Sequence, residues 1–162
     1  MIKIKFAEIL KLVISIIICE SAGFIGSLFT TPAIPSWYAT LVKPSFTPPN
    51  GVFAPVWTTL FLLMGISAFL VWRKGIENPR VNLALRLFII QLILNSLWSV
   101  LFFGLRSPLL GFIEIMLLWT FILLTILYFF KVSKVAGILL LPYILWVSFA
   151  AVLNFSIWRL NP

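Results

Sequence analysis

Five long apolar runs divide the chain: Leu12–Phe29, Val52–Trp72, Val81–Phe103, Leu109–Phe130 and Val135–Trp158. Each is close to the roughly 20 mostly apolar residues that a helix needs to cross a bilayer. The breaks "RKGIENPR", "GLRSP" and "KVSK" are short, so the helices they join run antiparallel. The first break is different. It covers residues 30–51 and contains "WYATLVKPSFTPPN", from Trp37 to Asn50. Pro32, Pro35, Pro44, Pro48, Pro49 and Pro55 stiffen this region. A plain connector needs only a few residues. A long, stiff, aromatic segment therefore reads as a lid over something. Pro55 is expected in the first turn of the second helix, close to the lid.

Composition agrees with the pattern. Of 162 residues, 62% are hydrophobic and 10% charged, and the mean hydropathy is +1.17. That places the chain among membrane proteins. The expectation is one all-α transmembrane domain over residues 1–162, a bundle of five helices. The first run follows basic residues, as a signal peptide does. Its length and the lack of a small-residue cleavage site favour a retained span.

A net charge of +8 raises the question of nucleic acid. The basic residues lie mostly at the ends of the apolar runs, which is the signature of topology and argues against nucleic-acid binding. Lys3, Lys5, Lys11, Arg73, Lys74, Arg80, Lys131 and Lys134 fall on one side, and Lys43, Arg106 and Arg159 on the other. The positive-inside rule makes the N-terminus cytoplasmic and turns the lid and C-terminus outward. The expected location is a prokaryotic cell membrane, or the mitochondrial outer membrane in a eukaryote.

Two absences narrow the chemistry. Histidine is missing, which excludes His-ligated metal or haem and a His-based triad. No metal site and no required cofactor is expected. A single cysteine, Cys19, excludes an internal disulfide.

Polar side chains at membrane depth face the protein interior or a cavity. Gln91, Asn95, Trp98 and Ser99 share one helical face, and Trp146, Ala150 and Asn154 form a stripe at i, i+4 and i+8. Interhelical hydrogen bonding is the ordinary explanation of such amides. Two amide-bearing faces that also carry tryptophan point as well to a shared polar and aromatic cavity. Glu20 and Glu114 are the carboxyls at membrane depth; a proton relay needs a longer series of titratable groups than they supply. Ala22 and Gly26 in the first span allow a helix to approach closely, within the chain or from a second copy, and so leave a homodimer open. Of seven tryptophans, Trp72 and Trp158 end their spans beside arginine as an interfacial belt does. Trp37, Trp57, Trp98 and Trp146 are placed differently: any one of them taken singly reads as ordinary aromatic packing, while four together point to indole faces that stack on a flat ligand.

Taken together, "GFIGSLFT", "WYATLVKPSFTPP", "PVWTTLFLLMG", "QLILNSLWSVLFFG" and "LPYILWVSFAAVLN" resemble the translocator protein, or tryptophan-rich sensory protein, family. They run in order through nearly the whole chain. The resemblance implies a five-helix bundle with the first loop folded over a ligand cavity. Members of the family bind porphyrins and other tetrapyrroles, and isoquinoline or benzodiazepine drugs; some bind cholesterol. Carried onto this chain, the resemblance implies a lining of Trp37, Tyr38, Ala54, Trp57, Gln91, Asn95, Trp98, Trp146 and Ala150. The expected ligand is protoporphyrin IX or a similar flat, apolar molecule, and membrane lipid surrounds the protein. Some bacterial relatives degrade protoporphyrin in light, and Trp57 and Trp146 match the tryptophans implicated there. A transporter is the third reading, although no inverted repeat supports it. Two departures stand out. Phe155 in "VLNFSIWR" replaces the tyrosine of the family's cholesterol pattern, so sterol binding does not carry over, and Phe61 stands where many relatives have tyrosine.

Overall fold

A computed structural model describes residues 6–162; Lys3 and Lys5 lie outside the described residues. Seven α-helices follow in order: α1 Phe6–Ala33, α2 Trp37–Thr40, α3 Asn50–Trp72, α4 Pro79–Ser99, α5 Pro108–Val132, α6 Lys134–Leu139 and α7 Leu141–Leu160. A π-helical turn, Val100–Gly104, extends α4. Five units are long and apolar enough to span a membrane: α1, α3, α4 with its π turn, α5, and α6 continued by α7. Each extends beyond its apolar run because capping residues lie outside it. Asn78, Ser107 and Ser133 each accept a hydrogen bond from a backbone N–H two or three residues on. Proline follows directly after Asn78 and Ser107, where its missing N–H costs nothing. Pro55 is a correction. Because α3 begins at Asn50, this proline lies in the second turn and not the first. The last span is also broken, at Leu140, one residue into which α7 restarts with Pro142 in its first turn.

The helices form a ring. α1 packs on α3 and α4, α5 on α4 and α7, and α6 on α3 and α5. At the end carrying Trp72 and Lys134 the ring is filled. Met64, Val71, Phe88, Phe129, Ala136 and Leu140 are all buried there. Ser67 donates to the Ala136 carbonyl across 2.7 Å, tying α3 to α6. At the same end Glu8 pairs with Arg73 at 3.0 Å, tying α1 to α3.

Small residues set the helix spacing. A Cβ on Gly65 would fall 2.7 Å from the Cα of Ile16, so α3 and α1 touch backbone to backbone. Ser96 donates to the Ala22 carbonyl across 3.1 Å, and a Cβ on Gly26 would lie 3.0 Å from the Ser99 hydroxyl. The Ala22–Gly26 stripe is therefore taken up by α4 of the same chain and carries no argument for a second copy.

Backbone at Ile16 cannot yield as a side chain can, so Gly65→Ala should lose about 1–3 kcal/mol through overpacking. Gly51→Ala, where nothing lies within 4 Å of the new methyl, should be neutral or stabilising. Thermal unfolding of both variants in detergent checks this; an equal Tm would show that α1 and α3 do not depend on the contact.

Candidate ligand cavity

Toward the other end the ring does not close on itself. α3 is held by α1 and α6 in the filled half, and makes only sparse contact with α7. The space left between them is a cavity of about 430 Å³. Its aromatic walls come from Phe53, Trp57 and Phe61 on α3, Trp98, Phe102 and Phe103 on α4 and its π turn, and Trp146 on α7. Polar groups are few, as suits a site that orients a mostly apolar ligand. On the α1 side the wall includes Phe24, which is 66% exposed, and Thr31, while α3 adds exposed Ala54 and Thr58. The cavity thus reaches the lipid-facing side between α1 and α3.

Hydrogen bonds hold the lining side chains in place. Trp98 donates its indole N–H to Asn154 Oδ1 at 3.0 Å, and Asn154 Nδ2 donates to the Pro108 carbonyl at 2.7 Å. One amide thereby joins α4, α7 and the start of α5. Trp98 stacks on Phe102 with ring centres 5.0 Å apart and a 17° angle between planes. Asn95 Nδ2 donates to the Tyr143 hydroxyl at 2.9 Å, which in turn donates to Gln91 Oε1 at 2.8 Å. Trp57 stacks on Phe61 at 5.6 Å, and Phe61 fills the hollow at Gly23, where a Cβ would fall 2.5 Å from the ring. The phenylalanine at this position therefore serves packing.

Seven of the nine residues expected in the lining are brought together: Tyr38, Ala54, Trp57, Asn95, Trp98, Trp146 and Ala150. Trp37 and Gln91 are not among them. In the short helix α2 consecutive side chains diverge by about 100°, so Tyr38 turns inward and Trp37 does not. Trp37 packs edge-on against Phe102 and Phe103 instead, at 5.6 and 6.5 Å. Gln91 shares a face with Asn95 but lies a turn deeper, behind Tyr143, and is 1% exposed. It is an interhelical hydrogen-bonding residue. Asn154, already on the stripe of Trp146 and Ala150, belongs to the lining. Phe53, Phe102 and Phe103 left no signal in the sequence, because phenylalanine is equally at home facing lipid, and Phe61 stood out only as a departure from the family's tyrosine. Glu20 lines the cavity; Glu114 does not, and its buried carboxyl has no hydrogen-bond partner. Among the described residues no group of three or more His, Cys, Asp or Glu side chains is placed to hold a metal ion.

The lid rests on the π turn. Tilted contacts join Tyr38 to Phe102 and Phe103 at 6.3 and 5.7 Å, beside those of Trp37. Lys43 lies over the Tyr38 ring at 4.6 Å and donates to the Leu41 carbonyl, so it braces the lid from within. The far end of the chain completes the fastening. Asn161 accepts from the Val42 N–H at 3.0 Å and donates to the Val42 carbonyl at 2.9 Å.

A model of the TspO/MBR family matches residues 15–159. The chain belongs to that family. It is 51% identical over 155 residues to the tryptophan-rich protein TspO of Chlorobaculum tepidum, covering 96% of this chain and 98% of that one. Identity to the human translocator protein is 37% over 139 residues, covering 85% and 82%. With the tryptophan-rich sensory protein of Cereibacter sphaeroides it is 36% over 139 residues, covering 84% and 85%. Membership of the family and five apolar helices make this an integral membrane protein.

Asn161→Ala removes both hydrogen bonds to Val42. A net value of about 0.5–1.5 kcal/mol for such bonds predicts amide exchange at Val42 faster by a factor of about 2–10. Hydrogen–deuterium exchange read by mass spectrometry checks it, with α5 as the internal reference that stays unchanged.

Proposed function

We propose that the protein is a membrane receptor or sensor that binds tetrapyrroles, protoporphyrin IX foremost, and related flat apolar ligands. The observation that carries the reading is the cavity itself, aromatic on three sides and furnished with few polar groups. A planar conjugated ring gains from such walls both burial and offset or edge-on stacking, about 0.5–1.5 kcal/mol per aromatic pair beyond area. Family relatives named as tryptophan-rich sensory proteins support a sensing role. With no histidine in the chain, recognition runs through the ring and not through iron.

A second reading is light-dependent porphyrin breakdown. Its support is that Trp57 and Trp146 both line the cavity and that the indole N–H of Trp146 is buried without a partner. Two electron-rich rings beside an excited porphyrin suit photochemistry better than acid–base catalysis, for which the cavity holds no paired groups.

Titration of the purified protein with protoporphyrin IX, followed by tryptophan quenching, tests the first reading. Illumination against a dark control and free porphyrin then separates the two. Static binding with no protein-dependent product marks a receptor, and a new absorbing product marks an enzyme. Trp57→Phe should weaken binding about 2–10-fold; Trp57→Ala should weaken it further. Trp72→Phe lies outside the cavity and should leave the affinity within a factor of two. Equal losses for Trp57→Phe and Trp72→Phe in folded protein would remove the cavity from the binding reading.

A further inference from the structure

Glu20 stands alone. It is at the centre of α1, a 28-residue helix about 42 Å long, so its carboxyl is on the order of 20 Å from either end. Lipid headgroups are out of its reach across a hydrocarbon core of about 30 Å. The ion pairs formed among the described residues both involve Glu8, and none involves Glu20. The next turn of α1 offers Gly23 and Phe24, and Phe61 of α3 packs on Gly23; none of these carries a cation. Among the described residues no lysine or arginine lines the cavity. Lys43, the one cation at the lid, is committed to the Leu41 carbonyl and the Tyr38 ring.

Ionisable groups at membrane depth pair with another charge or a polar group. Among the described residues Glu20 has no ion pair and no side-chain hydrogen bond, and the space it lines is the ligand cavity. We propose that the missing partner comes from the ligand: Glu20 selects flat apolar molecules that carry one cationic amine, and binds that amine against the α1 wall. The cavity then has a polarity. A positive edge points to Glu20, and an acidic edge is turned away, toward the lid. An ion pair sheltered from water is several times stronger than one in bulk solvent, so one carboxylate suffices to sort ligands of equal shape. The proposal rests on the tetrapyrrole-binding reading and adds its charge preference.

The test uses two porphyrins of matched size with the full-length protein in nanodiscs. One is protoporphyrin with both propionates converted to propylamides. The other is the same amide with one propyl chain ending in an ammonium group. The quantity read is the ratio of their affinities in each protein, which cancels any general loss of folded material. In the wild type the ammonium porphyrin should bind at least tenfold more tightly. Glu20→Gln should bring the ratio to about one, and Glu20→Asp should keep part of the preference. Glu114→Gln, which alters a carboxyl outside the cavity, should leave the ratio unchanged. A wild-type ratio near one with firm binding of the neutral amide would overturn the role of Glu20 and leave the tetrapyrrole reading intact. So would a ratio that Glu20→Gln leaves unaltered, or that Glu114→Gln abolishes equally. Failure of both porphyrins to bind the wild type would overturn the tetrapyrrole reading and this proposal with it.

Discussion

Helices in lipid gain nothing from hiding apolar surface from one another, so they associate through close packing and interhelical hydrogen bonds. In this protein that constraint falls most heavily on the backbone contact between Gly65 of α3 and Ile16 of α1. The contact draws the two helices together in the filled half of the ring. Ser67 ties the same stretch of α3 to α6, and Glu8 with Arg73 fastens the helix ends. With α3 secured on both sides at one end, its other half is free to stand away from α7. The cavity is the consequence. Phe61 marks the change, filling the hollow at Gly23 while presenting its ring to Trp57 and the open space.

Polar groups then decide which surfaces face that space. A buried amide must find partners or lose free energy, and the partners found here reach across helices. Asn154 binds the Trp98 indole and the Pro108 carbonyl, which turns the Trp98 ring flat against Phe102. Tyr143 lies between Asn95 and Gln91 and joins α7 to α4 beneath the cavity wall that Asn95 forms. The same hydrogen bonds that hold the bundle together thus orient the rings that a ligand would meet. The lid follows similar logic at the rim. Trp37 and Tyr38 dock on the two phenylalanines presented by the π turn, a local widening often found at functional sites. Asn161 ties the lid backbone to the end of α7.

Hydropathy alone determined that this chain crosses a membrane five times, because the cost of exposing backbone polar groups to lipid leaves helices as the spanning form for such runs. Residue type alone excluded histidine chemistry, and the order of motifs across the chain was enough to point to the family. The periodicity of Trp98 with Asn95, and of Trp146 with Ala150 and Asn154, by itself placed those side chains on inward faces. What periodicity cannot express is depth and direction. Gln91 lies on the same face as Asn95, yet one turn of helix separates a cavity wall from a closed floor. Trp37 and Tyr38 are neighbours in a single turn, and only packing against Phe102 and Phe103 decides that the tyrosine faces inward. Glu20 read as one of two isolated carboxyls; its place in the cavity wall, and the exclusion of Glu114, depend on which helix faces border the open half of the ring. Sequence specifies which residues lipid tolerates and which faces are apolar, since those are properties of side chains and helical period. The tertiary structure decides what each face meets, since that depends on contacts between helices distant in the chain.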